Sequence, residues 1–186
     1  LVLEIIIQGR GGQGAQTAGN LLAGAFHAQG MHVQCFASYG GARRGTPVNS
    51  YIRADSRPVR VRCDIERADA ILCFDASLLE GRLLAAADSR TLIVVNSARS
   101  AQEFAQNFPD RRIVAVDALS ISREHGLGRI VNSALLGALA RVIEAPSMDI
   151  LSQAIQANTP KLQSENAAAC VAGYRCADAQ LAGSLA

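Results

Sequence analysis

The chain has 186 residues, of which 49% are apolar and 18% charged, as expected for one domain with a sizeable core. Its formal net charge of +2 is too small to indicate a nucleic-acid-binding protein, and no aromatic residues alternate with the basic ones. No apolar run is long enough to span a bilayer, so the sequence predicts no membrane association and a cytoplasmic location.

The first predicted element is a buried strand over residues 1–7. It leads through the letters GRGGQG at residues 9–14 into a predicted helix that begins at Ala15. A strand that turns through glycines into a helix directs free backbone N–H groups and the positive end of the helix dipole at one point. This loop therefore predicts an anion site with backbone and side-chain donors. The candidate ligands are Arg10, Gly11, Gly12, Gln13 and Gly14.

The same loop also fits the spacing G-x-G-x-x-G, which is the fingerprint of dinucleotide-binding proteins. That fingerprint requires an acidic residue near the end of the second strand, where it binds the ribose. The second predicted strand, residues 32–37, carries no acid, and the nearest downstream carboxylate is Asp55. An NAD(P) site is one open alternative, and a loop whose glycines only allow close packing is another.

A second loop rich in glycine and arginine, residues 38–47, follows the second strand. Side-by-side pairing of the first two strands in a parallel sheet brings this loop next to the first one. Arginine forks match phosphate oxygens in a bidentate manner. The two loops therefore predict one shared anion site, with Arg43 and Arg44 as its second group of ligands.

The middle of the chain predicts an α/β fold, because strand patterns alternate with helix patterns. Further strands are predicted over residues 47–54, 58–62, 70–74, 91–96 and 112–117. Residues 47–62 hold two alternating strands joined through Asp55, Ser56 and Arg57 with no helix between them, which predicts a hairpin and a mixed sheet. The strand arginines are predicted to share one exposed face. They are Arg53, Arg60 and Arg62.

Helix patterns alone follow Asp117. A stripe of apolar residues around Ile130, Ala134 and Leu135 is typical of an amphipathic helix. Ser147 and Thr159 are predicted to begin the last two helices. The predicted helices cover residues 119–124 and 129–144 and two further segments.

No linker, repeat or low-complexity segment interrupts the chain, so residues 1–186 are predicted to form a single domain. The predicted architecture is an α/β fold of the three-layer αβα type. Its sheet is mixed but mostly parallel, and the C-terminal helices pack back on it.

The sequence offers no catalytic or metal-ligating constellation. None of the five cysteines has the C-x-x-C spacing of iron–sulfur or zinc sites, and they are predicted to be small buried hydrophobes in a reducing compartment. No serine has a G-x-S-x-G context.

Asp75 and Asp117 end predicted strands and are expected to cap the helices that follow. Asn96 is expected either to face the ligand crevice or to cap the turn at Ser97.

The two loops, in this order, resemble those of the gamma subunit, or gamma domain, of the 2-oxoacid:ferredoxin oxidoreductases. The likeness continues through the basic segment 47–62, the Leu-Leu-Gly-Ala helix at residues 135–138 and the closing helix with Gly173 and Tyr174. It covers nearly the whole chain. One departure is Thr46, where many relatives carry glycine or alanine.

The resemblance implies a subunit of a complex that converts a 2-oxoacid and coenzyme A to acyl-CoA and CO₂ and reduces ferredoxin or NAD. The 2-oxoacid is pyruvate, 2-oxoglutarate, or a branched-chain or aromatic one. Thiamine diphosphate, Mg²⁺ and 4Fe–4S clusters are then expected on the alpha, beta and ferredoxin-like delta subunits, and a flavin NAD(H) subunit is a further expected partner in complexes that use NAD. This chain is expected to bind none of these cofactors and to have no activity alone.

In that setting the gamma chain is expected to help bind coenzyme A. The pyrophosphate suits the backbone of residues 11–14, and the 3′-phosphate suits Arg43 and Arg44. Two alternatives stay open. One is a stand-alone Rossmann-like NAD(P)-binding oxidoreductase, and the other is a purely architectural subunit without ligand contacts.

Overall fold

The fold is built around one mixed β-sheet, seen in a computed structural model that describes residues 2–40 and 45–183. Within these ranges the strands lie in the spatial order β2-β3-β1-β4-β5-β6. β1, β4, β5 and β6 run parallel, whereas β3 is antiparallel to both of its neighbours, β1 and β2. The mixed, mostly parallel sheet is thereby confirmed. The strands are β1 (Leu3–Arg10), β2 (His32–Tyr39), β3 (Pro47–Asp55), β4 (Ala70–Cys73), β5 (Leu92–Asn96) and β6 (Arg112–Val116).

Helices cover both faces of the sheet. Ile5 and Ile7 pack on one face, against α1 and α4 to α7, while Ile6 packs on the other, in the same apolar cluster as residues of α2 and α3. This alternation along β1 confirms the three-layer αβα arrangement and the C-terminal helices packed on the sheet. None of the described helices is both long and apolar enough to cross a membrane. The helices are α1 (Ala15–Ala28), α2 (Gly81–Ala85), α3 (Ala101–Asn107), α4 (Ala118–Glu124), α5 (Asn132–Ile143), α6 (Met148–Asn158) and α7 (Gln163–Gly183), with a 3-10 turn at Ala76–Leu78.

α5 and α7 pack backbone against backbone. A Cβ on Gly137 would lie 1.8 Å from the carbonyl oxygen of Cys170, and one on Gly173 would lie 1.9 Å from that of Ala134. Near the start of both helices, the hydroxyl of Ser133 donates to Asn166 Oδ1 over 2.6 Å. The two helices therefore begin at the same end of the molecule.

The predicted hairpin over residues 47–62 is wrong in its second half, because residues 58–62 form no strand. β3 is bordered by β1 on one side and by β2 on the other, so it offers no edge to a further strand. The hairpin that forms is β2 with β3, for example Val33 opposite Ala54.

The insertion of β3 also corrects the expected pairing of the first two strands, which are not neighbours. Because each of them is antiparallel to β3, they still run in the same direction and end at the same edge of the sheet. β1 itself continues to Arg10, which lies opposite Pro47 of β3. Gly9 and Arg10 therefore belong to the strand rather than to the loop.

Three smaller predictions fail for local reasons. Arg53 is not on an exposed face, since it is 4% exposed and its Nε lies 2.7 Å from Glu4 Oε1 on β1. Ile130 is 47% exposed because it precedes α5. Thr159 does not begin the last helix: its hydroxyl donates to the carbonyl of Ile155 over 2.6 Å, and α7 starts later. Arg60 and Arg62 are exposed, as predicted.

Candidate anion site at the carboxyl edge of the sheet

The carboxyl ends of the parallel strands lie together at one edge, where ligands of open α/β sheets usually bind. The strand-end aspartates act as caps, as predicted. Asp75 accepts from the backbone N–H of Ser77 over 3.0 Å, and Asp117 accepts from that of Ser120 over 3.0 Å. Asn96 instead joins the end of β4 to the start of α4, because it donates to Phe74 O over 3.1 Å and accepts from Ala118 N over 3.2 Å.

The glycine loop, residues 11–14, presents open backbone at this edge. Gly12 and Gly14 have φ values of 94° and 93°, a region that side-chain-bearing residues rarely adopt. A Cβ on Gly12 would meet nothing within 4 Å, so a ligand can approach its backbone closely. Gly14 caps α1, which has no side-chain cap among the described residues and no acidic residue in its first turn.

A second helix begins beside the first. A Cβ on Gly14 would lie 2.6 Å from Nδ2 of Asn132, the first residue of α5. That helix also lacks a side-chain cap and an acidic residue in its first turn, within the described part of the chain. The positive ends of two helix dipoles therefore converge on Gly14, which favours the binding of an anion there.

The side chains of Arg10, at the end of β1, and of Gln13, in the loop, form hydrogen bonds with neighbouring residues that fix the conformation of the loop. Arg10 places Nε 2.8 Å from Asp75 Oδ2, Nη2 2.8 Å from Ser77 Oγ and Nη1 3.3 Å from the carbonyl oxygen of Gly45. Gln13 Oε1 accepts from the backbone N–H of Arg10 over 2.7 Å. Direct contact of Arg10 or Gln13 with a ligand stays a prediction.

Asp75 keeps its charge in this arrangement. Burial of the carboxyl group raises its pKa, but hydrogen bonds from Ser77 and Arg10 outweigh this effect and hold the pKa of Asp75 below its usual range. The ionised carboxylate thus pairs with Arg10 at neutral pH.

The second loop reaches the first, although β1 and β2 are not neighbours. Gly11 donates its N–H to the carbonyl oxygen of Thr46 over 3.0 Å, and Gly40 donates to that of Pro47 over 3.0 Å. The contact arises because β3 starts directly beside the end of β1. Arg43 and Arg44 lie outside the described residues, so their place in the site stays a prediction.

Tyr39 is a site neighbour that sequence reasoning missed. Its hydroxyl donates to Gln16 Oε1 in the first turn of α1, and its side chain is largely exposed. Its position at the end of β2, just before the second loop, was the signal that could have identified it. Tyr39 links β2 to the uncapped end of α1.

Metal-ligating side chains do not cluster in residues 2–40 or 45–183, where no group of three or more His, Cys, Asp or Glu residues could hold an ion.

Burial raises the pKa of Cys73 and of Cys170 to about 12, so both remain neutral thiols. The prediction of buried cysteines is right for these two and wrong for Cys63, which is exposed because residues 58–62 pair with no strand.

Known proteins are similar to this chain in sequence and fold. The family described as pyruvate ferredoxin/flavodoxin oxidoreductase matches residues 4–176. The chain is 34% identical over 158 residues to the pyruvate/ketoisovalerate oxidoreductases common subunit gamma of Pyrococcus furiosus, covering 83% of this chain and 85% of that one. It is 35% identical over 176 residues to pyruvate synthase subunit PorC of Methanothermobacter thermautotrophicus, covering 93% and 94%.

Solved structures agree. The pyruvate oxidoreductase subunit PORC of Thermotoga maritima superposes with a TM-score of 0.82 at 28% identity, covering 94% of this chain and 96% of that one. The 2-oxoglutarate:ferredoxin oxidoreductase of Magnetococcus marinus has the same fold in part of a longer chain, with a TM-score of 0.76 at 20% identity over 96% of this chain and 31% of that one. The chain belongs to the pyruvate ferredoxin/flavodoxin oxidoreductase family, as one of its gamma-type subunits.

Proposed function

We propose that this chain serves a coenzyme A-dependent 2-oxoacid oxidoreductase by holding the phosphates of coenzyme A at the carboxyl edge of its sheet. The complex converts a 2-oxoacid and coenzyme A to acyl-CoA and CO₂ and passes the electrons to ferredoxin or NAD. Thiamine diphosphate, Mg²⁺ and iron–sulfur clusters on the alpha, beta and delta subunits supply the decarboxylation and electron transfer. The described residues of this chain offer no ligand cluster for them.

The convergence of two uncapped helix N-termini on Gly14 carries the proposal. A pyrophosphate is an anion with several acceptor oxygens, which suits free N–H groups at the positive ends of helices. The open backbone at Gly12 allows such a group to approach closely. A solved protein of the same fold has 2-oxoglutarate, coenzyme A and succinyl-CoA bound, which supports this class of ligand.

The contacts of Arg10 give it a positioning role. Through Asp75 and Gly45 it holds the described end of the second loop against the first. We assign the 3′-phosphate of coenzyme A to Arg43 and Arg44 because arginine forks match phosphate oxygens.

A stand-alone NAD(P) enzyme fits the geometry less well. In the dinucleotide fold the strand after the first helix lies next to the first strand, and its end carries the acid that binds the ribose. Here β3 separates β1 from β2, and β2 ends at Tyr39 without an acid. A purely architectural subunit would affect assembly of the complex rather than the KM for coenzyme A. The following experiment measures both.

The variant Gln16→Glu adds one negative charge to the first turn of α1. This charge stabilises the helix but repels a phosphate at its N-terminus, and the new carboxylate can still accept from Tyr39. In the assembled enzyme we expect the KM for coenzyme A to rise by about threefold to tenfold, with kcat at saturating coenzyme A unchanged. Initial rates across a coenzyme A titration measure both quantities.

Gln102→Glu is the matched control, since Gln102 is exposed and is likewise the second residue of a helix, α3. It should leave the KM for coenzyme A unchanged. If Gln16→Glu behaves like Gln102→Glu, the phosphates do not bind at this helix. Failure of the Gln16→Glu chain to assemble would instead favour the architectural role.

A further inference from the structure

Residues 57–62, the arginine arm, have the sequence of a β-strand without the partner of one. The letters RPVRVR alternate apolar and charged residues, which is typical of a half-buried strand. Yet the arm pairs with no strand of the described chain. Its one backbone hydrogen bond to the described residues runs from the N–H of Arg57 to Asp55 Oδ1, over 3.2 Å. The backbone groups of residues 58–62 make no hydrogen bond to the described residues.

The arm is nevertheless fixed at both ends. At its start, Asp55 is buried at the end of β3 and binds Arg57 and Ser56. Just beyond its end, the buried Arg53 donates to the carbonyl oxygen of Cys63 over 2.7 Å and to that of Asp64 over 3.3 Å. A segment held at both ends loses less conformational freedom when it binds than a free segment does.

The exposed surface of the arm is both apolar and positive. Val61 is 54% exposed, and Arg60 and Arg62 are exposed on either side of it. Residues 56–63 contain three arginines and no acidic residue. An exposed strand edge of this kind is a template for pairing with another chain.

We propose that the arginine arm is an edge strand that pairs with an extended segment of a partner subunit, and that this segment carries carboxylates opposite Arg60 and Arg62. Backbone pairing satisfies the free N–H and C=O groups, and opposite charges across the pair favour the correct partner. A second copy of the arm is the wrong partner, because it would place arginines near arginines. Pairing with β3, the strand that precedes the arm, is blocked because both of its edges are occupied.

Amide hydrogen exchange on the purified complex tests the pairing directly. In the assembled enzyme we expect every second amide within residues 59–62, on the side that faces the partner strand, to exchange at least about tenfold more slowly than unprotected amides. Exchange at the unprotected rate throughout the arm would overturn the proposal.

Charge reversal tests the nature of the partner. The double variant Arg60→Glu/Arg62→Glu should weaken assembly by about tenfold or more at low salt, whereas Arg175→Glu, an exposed reversal on α7, should not. Circular dichroism and thermal unfolding of each variant chain establish that it is folded. Assembly at the wild-type level by the folded double variant contradicts an acidic partner.

Proline substitutions separate backbone pairing from charge. The N–H groups of residues 60 and 61 point to opposite sides of an extended chain, and only one side can face the partner strand. One of the variants Arg60→Pro and Val61→Pro should therefore weaken assembly at least about tenfold more than the other. Equal effects, or a disulfide-linked dimer of two copies of this chain through Val61→Cys, would overturn the proposal.

Discussion

The guanidinium of Arg10 shows how one side chain can organise a candidate site through its contacts with neighbouring residues. It contacts Asp75, Ser77 and Gly45, and so joins the glycine loop to the end of β4 and to the second loop. The side chain of Arg10 is 41% exposed and that of Asp75 27%. Solvent therefore screens the pair, and its main effect is on geometry rather than on stability.

The variant Asp75→Asn removes the charge that holds Arg10. We expect a loss of about 0.5–1 kcal/mol in the free energy of unfolding at neutral pH, measured by thermal or denaturant unfolding. Because the pKa of Asp75 is lowered in the folded chain, this stabilisation is complete above the unfolded pKa, near about 4. It disappears as the pH falls through the folded value.

The difference in stability between wild type and Asp75→Asn should therefore be constant from about pH 7 to pH 5 and shrink below about pH 4. Asp110→Asn is the control, since Asp110 is exposed and makes no hydrogen bond or ion pair with the described residues. A difference that persists undiminished in acid would show that the ion pair is not its cause.

The sequence predicted the open backbone of the glycine loop but not the contacts of the side chains around it. Free backbone N–H groups follow from a strand, glycines and a helix, which are all local features. The contact of Arg10 with Asp75 joins residues 65 positions apart, and no local pattern indicates it. The capping roles of Asp75 and Asp117 were predictable because a cap and its helix are adjacent in sequence.

The close packing of α5 against α7 depends on two glycines that cannot be replaced by larger residues. The backbone that faces Gly137 and Gly173 leaves no room for a side chain, because the carbonyl oxygens of Cys170 and Ala134 lie within 2 Å of the hypothetical Cβ atoms. The Leu-Leu-Gly-Ala segment is thus explained by close packing. This packing also brings the N-terminal ends of both helices to the carboxyl edge.

The variants Gly137→Ala and Gly173→Ala should each destabilise the chain by about 1–3 kcal/mol or more, because the methyl group forces the helices apart. Gly24→Ala is the matched control, since Gly24 lies within α1 with nothing within 4 Å of its Cβ. That variant should stabilise the chain by about 0.5–1 kcal/mol. Denaturant unfolding distinguishes the two signs, and stabilisation by all three variants would contradict the packing.

Helices and most strands were predictable because each carries its own periodicity. The buried stripe of α1, from Ala18 to Phe26, and the apolar runs of β4 to β6 are of this kind. The order of the strands was not, since it depends on which edges remain free. Residues 58–62 have the alternation of a strand, but β1 and β2 occupy both sides of β3, and only the folded sheet reveals this.

On the scale of the whole molecule, the two proposed sites lie at different ends of β3. The glycine loop, the N-termini of α1 and α5 and the start of β3 lie at the carboxyl edge of the sheet. The arginine arm follows the opposite end of β3. Coenzyme A binding and subunit pairing are therefore predicted to fail separately. Arm variants that still assemble should retain the wild-type KM for coenzyme A.

The most direct test of the coenzyme A site is the coenzyme A dependence of the assembled enzyme carrying Arg43→Ala or Arg44→Ala. Loss of a charge-assisted contact of about 1.5–3 kcal/mol should weaken the coenzyme A interaction by about tenfold to a hundredfold. Excess coenzyme A should restore turnover. The early half-reaction, in which the 2-oxoacid reduces the enzyme without coenzyme A, should keep its wild-type rate. If both variants assemble and retain the wild-type KM for coenzyme A, the second loop does not bind the phosphates of coenzyme A, and the proposed site is wrong.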